Sequence, residues 1–353
     1  MPPEINMNNK ILITGAGGYI GSVLIPLLLS AGNRITAVDT FWFGKSTLPT
    51  HKNLTILKCD TRIIPASAFV DVDIVIDMAA LSNDPCGERF TKETWGINHH
   101  ARLRTAKLSK WHGVKRYLMT SSCSVYGSQS GLLSESSPTN PLTEYAKANL
   151  ATENALANLD DANFSITILR LSTLFGLSPR MRLDLVVNRM CFDAWKKKSI
   201  IINGDGSQHR PLLNVNEAAN IIMLVIMACK KNVGGQIFNS GFNTSNYTIT
   251  EIAEKICSVT EKVQGRIPEI IYSGAADKRT YQVNFDKLSS TISLPTPKPL
   301  EKHAEEIMRY MESSRLREDE WYNTLAWYTK KNIFGQCDGI ALNHENEIGT
   351  EFL

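Results

Sequence analysis

The stretch TGAGGYIG, residues 14–21, is the most informative part of this chain. It follows the apolar segment KILIT (10–14) and opens a helical pattern over 19–31. Glycine at 15, 18 and 21 permits a tight turn, close approach of a pyrophosphate and close packing of helix on strand. Because a helix start attracts phosphate through its free N–H groups and its dipole, we predict cofactor binding here. The predicted residues are Gly15, Gly18, Tyr19, Ile20 and Gly21.

An acidic residue ends the next apolar segment, RITAVD (34–39). Asp39 lies 18 residues after Gly21, near the spacing expected for a dinucleotide-binding turn. A carboxylate at this place accepts hydrogen bonds from the ribose hydroxyls of adenosine and repels a 2′-phosphate. The pattern therefore favours NAD over NADP.

Further apolar segments of strand length alternate with longer amphipathic ones through the first half of the chain. They are LTILKCD (54–60), DIVIDMAA (73–80), RYLMTSS (116–122) and SITILRL (165–171), with helical patterns at 91–112 and 144–159. Near-continuous apolar strands separated by helices indicate a parallel sheet covered on both faces. The predicted fold class is α/β, with a Rossmann-type doubly wound parallel sheet.

After about residue 175 the alternation is less regular. A helix is predicted near 184–197 before the strand-like SIIINGDG (199–206), and another over 216–230. TITE (248–251) is typical of a capping box that opens a further helix. Residues 313–353 are expected to form one amphipathic helix and a polar tail, either on the surface or at a contact with a partner.

Composition excludes several classes of protein. The 353 residues are 43% hydrophobic and 21% charged, as in ordinary globular proteins, and the net charge of +3 does not favour nucleic acid or an anionic membrane. No apolar run reaches the roughly 18 residues that span a bilayer, and no secretory segment precedes the first strand. Seven dispersed cysteines without a C-x-x-C pair, and histidines without ligand spacing, predict a cytoplasmic protein with reduced thiols and no metal.

Three further stretches resemble the extended short-chain dehydrogenase/reductases that act on nucleotide sugars. SSCSVYG (121–127) with Tyr145 is similar to their serine and tyrosine, DMAALSNDP (77–85) to the segment after their fourth strand, and CDTR (59–62) to their adenine-contacting segment. The similarity covers roughly residues 9–312, and the family includes the UDP-glucose 4-epimerases. It implies a Rossmann domain for NAD and a smaller C-terminal α/β domain for a nucleoside diphosphate sugar.

The resemblance also implies domain boundaries and an oligomer. Residues 1–178 would bind NAD, with part of 212–240 returning to that domain, and 179–312 would form an interleaved nucleotide-sugar domain. Residues 313–353 would be the C-terminal helix and tail. A homodimer is expected, because relatives commonly pair through two helices of the Rossmann domain.

Site residues follow from the same resemblance, position by position. Beyond the glycine turn and Asp39, the cofactor residues are Asp60, Thr61, Ala79, Ala80, Leu81, Asn98, Tyr145 and Asn149. The substrate residues are Ser82, Ser122, Ser124, Thr173, Arg180, Arg182, Asp184, Leu185, Asn203, Arg210 and Arg279. The arginines would bind the diphosphate, since a guanidinium group suits phosphate oxygens. SPRMRLD (178–184) also resembles a branch that includes GDP-heptose 4-dehydrogenases.

The segment EYAKAN (144–149) departs from the family pattern. Tyr145 would take the proton of a sugar hydroxyl with Ser122 bonded to the same oxygen, but Asn149 stands where relatives have a lysine that lowers the tyrosine pKa. Lys147 points to another helix face and cannot replace it. Four explanations stay open: the nicotinamide cation suffices for slow turnover, this branch tolerates the loss, the asparagine is engineered, or the protein binds its ligands without catalysis.

The predicted reaction is epimerisation through transient oxidation at C4 of a nucleoside diphosphate sugar. Dehydratases of the family carry Thr-Asp-Glu where this chain has Ser122, Cys123 and Ser124, so the acid–base pair that expels water is missing. Epimerisation needs only the tyrosine, the serine and retained NAD. The alternatives are a 4-dehydrogenase or reductase, and a non-catalytic protein that binds NAD and a nucleotide sugar.

Overall fold

The six apolar segments predicted as strands in the first half form one parallel sheet with a seventh strand, 236–240, which was not predicted as a strand. From edge to edge the strands are 236–240, 165–171, 116–122, 74–77, 10–14, 34–39 and 54–58. The structure, a computed structural model, describes residues 8–275 and 277–335. The strands are β1 (Lys10–Thr14), β2 (Arg34–Asp39), β3 (Leu54–Lys58), β4 (Ile74–Asp77), β5 (Arg116–Ser122), β6 (Ser128–Leu133), β7 (Ser165–Leu171), β8 (Thr173–Phe175), β9 (Ser199–Asn203), β10 (His209–Asn214), β11 (Gln236–Ser240), β12 (Asn246–Thr248), β13 (Glu269–Ser273) and β14 (Thr280–Val283).

Helices cover both faces of this sheet and build the second half of the chain. They are α1 (Gly21–Ser30), α2 (Asp84–Arg89), α3 (Thr91–Trp95), α4 (Arg102–Trp111), α5 (Glu144–Ala157), α6 (Val186–Lys197), α7 (Val215–Met227), α8 (Lys230–Val233), α9 (Ile249–Gln264), α10 (Asp286–Thr291), α11 (Leu300–Ser313) and α12 (Thr324–Lys330). A π-helical turn, Gly96–Ala101, joins α3 to α4. Among the described residues, no helix is long and apolar enough to cross a membrane.

Alternating side chains of each strand explain why the strands are apolar throughout. On β1, Ile11 and Ile13 pack in the cluster beneath α1 and α7, whereas Leu12 faces the opposite cluster with Phe69 and Phe164. Both faces of the sheet are therefore buried at its centre, as a doubly wound sheet requires, while the edge strand β3 is largely exposed. The predicted α/β class with a Rossmann-type sheet is confirmed.

Two predicted strands are shorter than the sequence suggested. β3 ends at Lys58 and β4 at Asp77, so the segments 59–60 and 78–80 leave the sheet. Apolar residues continue past Asp77, but they line a cavity instead of pairing with a neighbouring strand. Since ligands of such sheets bind at the carboxyl ends of the strands, these short extensions belong to the site.

A separate apolar cluster lies in the second half of the chain. It joins α6, α9 and α11 to strands β9 and β10 through residues such as Phe192, Ile202 and Ile256. The predicted capping box opens α9: Thr248 Oγ1 accepts the Glu251 N–H, and a Glu251 carboxylate oxygen accepts the Thr248 N–H at 2.7 Å. The smaller α/β unit predicted for this half is confirmed.

The C-terminal prediction was wrong in part. In place of one amphipathic helix after 313, the chain makes a 3₁₀ turn (Glu320–Tyr322) and the short helix α12. We call residues 316–335 the C-terminal segment. Its Tyr328 and Phe334 are buried against Trp42, so these residues are not a surface appendage. Residues 336–353, where most of the polar tail was predicted, lie outside the described residues.

Candidate functional site

One cavity of about 500 Å³ opens at the carboxyl ends of the central strands. Its wall combines the glycine turn, the ends of β2, β4 and β5, the loop 172–185 and residues from β9, β10 and the C-terminal segment. Of the predicted site residues, all line this cavity except Asn98 and Asn149. The structure therefore brings both halves of the chain to one site.

The glycine turn has the geometry of a phosphate cradle. Gly15 adopts φ +68°, and a Cβ there would lie 2.8 Å from the Met78 carbonyl oxygen. A Cβ at Gly21 would lie 2.4 Å from the Ala16 carbonyl oxygen, so helix and turn could not approach with any larger residue. A Cβ at Gly18 meets only one backbone atom within 4 Å, which leaves open space beside the helix start.

Asp39 lies beside this turn, and its carboxylate accepts hydrogen bonds from the backbone. One oxygen accepts the Gly17 N–H at 3.0 Å, and the other accepts the Phe41 N–H at 2.7 Å. Burial raises the pKa of Asp39 from its ordinary value, while these hydrogen bonds lower it. The Thr40 hydroxyl also donates to the oxygen that binds Phe41, at 3.4 Å, so the oxygen that binds Gly17 is the one that retains a lone pair for a ribose hydroxyl. Turn and carboxylate together fit a dinucleotide without a 2′-phosphate.

The residues predicted to surround adenine are held by local hydrogen bonds. Asp60 caps a short 3₁₀ turn and binds the Arg62 guanidinium, with its Nη2 at 2.7 Å. Thr61 lines the cavity beside them. Asn98 does not reach the cavity: its amide accepts from the Leu81 N–H at 2.8 Å and donates to the Leu81 carbonyl at 3.1 Å. It therefore fixes the loop 79–82 that lines the site.

At the reacting end, α5 presents Tyr145 from its first turn. The helix is capped by Thr143, whose Oγ1 accepts the Ala146 N–H at 3.2 Å. A Cβ at Gly87 would lie 3.0 Å from the Tyr145 Cβ, so α2 approaches α5 closely only through glycine. Ser122 ends β5 and lines the same part of the cavity, with Ser124 two residues on.

Burial raises the pKa of Tyr145 above its ordinary value, and the Asp84 carboxylate raises it further. The Arg102 charge and the side chains of Ser122 and Asn149 lower it, in that order of effect, but burial dominates. Tyr145 in the protein without ligands is therefore a protonated phenol at neutral pH. Its use as a base depends on the groups that stabilise its anion.

Asn149 lies behind Tyr145 and is 1% exposed. Its Oδ1 accepts a hydrogen bond from Arg102 Nη1 at 3.0 Å. Sequence reasoning missed Arg102, which lines the cavity. The available signal was its position four residues after Asn98, one helical turn further along the predicted helix.

Three of the four predicted substrate-side arginines, Arg182, Arg210 and Arg279, are paired with acidic side chains. Arg182 forms a two-point ion pair with Asp184, with both N–O distances 2.9 Å, and also donates to Ser82 Oγ at 3.1 Å. Arg210 pairs with Asp277 at 2.8 Å. These arginines line the cavity, as predicted, but a diphosphate would have to share or displace their carboxylate partners.

Arg279 is similarly paired, with Asp277 and with Asp84. The remaining predicted substrate residues on the cavity wall are Thr173, Leu185 and Asn203. Tyr19, predicted with the cofactor, donates its hydroxyl to the Gly176 carbonyl at 2.6 Å and so links the turn to the loop after β8.

Arg180 is buried in an aromatic environment instead of an acidic one. Its guanidinium lies 3.6 Å from the centroid of the Phe43 ring and 4.8 Å from that of Trp321. Burial lowers its pKa to about 10, and Nε has no hydrogen-bond partner in the described part of the chain. Cation–π contacts compensate part of this burial.

The C-terminal segment completes the cavity wall and was also missed. Trp321 Nε1 donates to the Phe43 carbonyl at 3.0 Å and Trp327 Nε1 to the Trp42 carbonyl at 2.9 Å. The Thr324 N–H donates to Asp184 at 3.2 Å. The aromatic residues of WYNTLAWY (321–328) were the signal that this segment packs against the protein.

Comparison in sequence finds distant relatives. The chain is 27% identical over 286 residues to the uncharacterized UDP-glucose epimerase YtcB of Bacillus subtilis (strain 168), across 75% of this chain and 85% of the relative. It is 24% identical over 261 residues to UDP-glucuronic acid decarboxylase 1 of Danio rerio, across 71% of this chain. The aligned part is 60% of that decarboxylase, less than two thirds of its length.

Solved structures share the fold across most of the chain. MoeE5, in complex with UDP-glucuronic acid and NAD, has a TM-score of 0.76 and 25% identity, over 86% of this chain and 99% of that one. The UDP-N-acetylglucosamine 4-epimerase of Methanobrevibacter ruminantium M1 has a TM-score of 0.79 and 24% identity, over 87% and 99%. Residues 11–241, more than half of the chain, match the family model for the NAD dependent epimerase/dehydratase family. This chain belongs to that family, and its cofactor is NAD.

Proposed function

We propose that this protein is an NAD-dependent epimerase that inverts C4 of a nucleoside diphosphate sugar. The observation that carries the proposal is the position of Tyr145 and Ser122 in the same cavity as the glycine turn and the arginines. Tyr145 would accept the proton of the C4 hydroxyl and return it, while Ser122 holds the same oxygen. Bound NAD supplies hydride transfer.

The residues beside Ser122 support epimerisation over dehydration. Cys123 is fully buried, and burial raises the pKa of its thiol, so it cannot serve as an acid–base group for the sugar. Ser124 lines the cavity, and its buried hydroxyl has no hydrogen-bond partner among residues 8–275 and 277–335. A hydroxyl at this point suits the binding of a sugar oxygen and does not expel water.

The position of the C-terminal segment favours epimerisation over net oxidation or reduction. Trp321 and Trp327 tie the C-terminal segment to the backbone at Trp42 and Phe43, which line the cavity near Asp39. An epimerase regenerates its NAD in each cycle and needs no exchange, whereas a 4-dehydrogenase must release NADH. The uridine diphosphate sugars named for YtcB and MoeE5 favour a uridine nucleotide as substrate.

Two further features are proposed, the division into domains and the oligomeric state. The separate apolar clusters support a NAD-binding part, 1–178 with part of 212–240 returning to it, and an interleaved nucleotide-sugar part, 179–312. A homodimer is proposed from the family resemblance, and light scattering of the purified protein tests it.

Turnover with a panel of UDP- and GDP-sugars tests the function. We expect NMR to show conversion of one sugar into its C4 epimer without accumulation of NADH. Accumulation of NADH would instead show the 4-dehydrogenase. No turnover of any sugar, together with NAD and a nucleotide sugar released on denaturation and identified by mass spectrometry, would show the non-catalytic binding protein.

A further inference from the structure

The Arg102 guanidinium is buried directly behind the residue that departs from the family pattern. Arg102 is 2% exposed and begins α4. Its Nε donates to the Ala79 carbonyl at 3.0 Å. Its Nη1 donates to the Thr120 carbonyl at 3.1 Å and to Asn149 Oδ1 at 3.0 Å. The guanidinium is thus fixed by three acceptors, one of which is the side chain of Asn149.

This cation differs from the other buried guanidinium groups around the site. Arg170 pairs with Glu153 at 2.7 Å, and Arg182 pairs with Asp184 at 2.9 Å. Arg102 forms no ion pair with any carboxylate in the ranges 8–275 and 277–335. Burial of a charge is costly unless an opposite charge compensates it, so this position favours an anion nearby.

Asn149 connects that charge to the tyrosine. Because arginine only donates, the amide must turn its Oδ1 to Arg102, and this leaves the Nδ2 group as the donor on the other side. Nδ2 has no hydrogen-bond partner among the described residues, although it is fully buried. The Asn149 side chain also acts on Tyr145, where it lowers the pKa of the phenol. A donor beside the phenol oxygen stabilises its anion more than its neutral form.

We propose, on the basis of the function above, that Arg102 and Asn149 together replace the family lysine. Arg102 supplies the positive charge, and the Asn149 amide orients it and holds its unpaired Nδ2 group as a donor for the Tyr145 oxygen once the phenol has lost its proton. Both are positioning residues, since neither performs the proton transfer itself. The positive charge therefore comes from a different helix than the family lysine would. Arg102 begins α4, whereas Asn149, at the lysine position, lies one turn after Tyr145 on α5.

The other groups around Tyr145 do not supply this charge. Ser122 faces it from β5 as a neutral hydroxyl, and Asp84 faces it from α2 as a carboxylate that raises its pKa. Asp84 also pairs with Arg279 and accepts from Thr143 Oγ1 at 2.5 Å, so the Arg279 charge is engaged with acidic partners. Of the two charged groups within residues 8–275 and 277–335 that act on Tyr145, only Arg102 favours the phenolate.

Direct titration of Tyr145 tests the proposal without a sugar substrate. The readout is NMR of labelled tyrosine Cζ atoms in the full chain with saturating NAD⁺, assigned with Tyr145→Phe. Arg102→Gln keeps a donor for Asn149 but removes the charge. We expect Arg102→Gln to raise the Tyr145 pKa by about one to three pH units. If the Tyr145 signal of the variant does not titrate at any pH at which the protein stays folded, that result also counts as a raised pKa. An unchanged midpoint in folded Arg102→Gln overturns the proposal.

A matched control and a rescue exclude a merely structural role. Arg116 is another guanidinium bound to backbone carbonyl oxygens, among them that of Ala228 at 3.0 Å, but it does not line the cavity. Arg116→Gln should leave the midpoint of the Tyr145 titration unchanged. The double variant Arg102→Gln/Asn149→Lys moves the charge to the family position and should return the midpoint to near the wild-type value. Failure of this rescue in a folded double variant overturns the proposal.

A second route remains if Arg102→Gln does not fold. Asn149→Leu keeps the Arg102 charge but removes the amide that donates to Tyr145, and it should also raise the midpoint. An unchanged midpoint in Asn149→Leu overturns the role of the amide. Because every readout is a tyrosine titration, a failed epimerase assay does not affect these outcomes.

Discussion

At the end of β2, the carboxylate of Asp39 lines the cavity, is held by two backbone N–H groups and the Thr40 hydroxyl, and keeps a lone pair on the oxygen that binds Gly17. We predict that NAD binds at least about tenfold more tightly than NADP, which corresponds to about 1.4 kcal/mol. Asp39→Asn keeps the shape but removes the negative charge, so it should narrow the difference mainly by improving NADP binding. Calorimetry measures all four affinities. Equal affinities of the unmodified protein for the two cofactors would contradict this assignment.

Tyr145 has a pKa raised mainly by burial, so its active, deprotonated form is scarce at neutral pH. We therefore expect the rate to rise with pH from 7 toward 9, because a base acts only when it has lost its proton. Tyr145→Phe should lower turnover by about 10²–10⁴-fold or more and leave NAD bound. Initial rates across pH and the NAD content of both forms provide the check. A harmless Tyr145→Phe substitution would remove Tyr145 from the mechanism.

Single residues show clearly where sequence reasoning succeeds and where it stops. Gly15, Asp39 and Ser122 were predicted because their motifs fix both residue type and spacing, and all of them line the cavity. Arg102 was missed because α4 carries several cations, RLRTAKLSKW, and the sequence does not show which one is buried. Burial depends on the helices packed around α4, and that information is absent from the local pattern.

Elements were predicted where a hydrophobic period covers their whole length. β1, β2, β5 and β7 begin and end where their apolar segments do. β3 and β4 were predicted too long, because the apolar residues that follow them line a cavity, and a cavity wall has the same composition as a strand core. The C-terminal segment was misjudged because its aromatic side chains pack on Trp42 and Phe43, which are almost 300 residues away in sequence.

The C-terminal segment carries a prediction of its own, since its indole groups bind the backbone at Trp42 and Phe43, which line the cavity. Trp327→Leu removes the hydrogen bond to the Trp42 carbonyl and the stacking on Phe43. One such bond contributes about 0.5–1.5 kcal/mol, so NAD should dissociate about two- to tenfold faster. Trp111→Leu is the control, because Trp111 is 66% exposed and does not line the cavity. Stopped-flow displacement of NAD measures the rates; equal rates would show that the segment does not retain the cofactor.

Across the whole molecule, ion pairs connect the two halves at the cavity. Arg279, just before β14, pairs with Asp84 at the start of α2 and with Asp277, while Asp277 also pairs with Arg210 of β10. Arg279 and Asp84 are 195 residues apart in sequence, so their pairing could not be predicted from spacing. The resemblance to a family supplied the arginines, but not the carboxylates that hold them.

These ion pairs predict how stability changes in acid. Burial raises the pKa of Asp277, but Arg279 and Arg210 overcome that effect and lower it to about 2, below the ordinary value of 3.8. A carboxylate with a lowered folded-state pKa stabilises the fold fully above its unfolded pKa, and this contribution disappears as pH falls through the folded pKa. Asp277→Asn should therefore lower the Tm by a few degrees between pH 7 and 5, and the difference should shrink between about pH 4 and pH 2.

Asp71→Asn is the control, because Asp71 pairs with Lys10 at the exposed surface, where ion pairs contribute little. Thermal unfolding followed by circular dichroism measures both series. A Tm difference for Asp277→Asn that stays constant down to pH 2 would show that the carboxylate acts through packing and not through its charge.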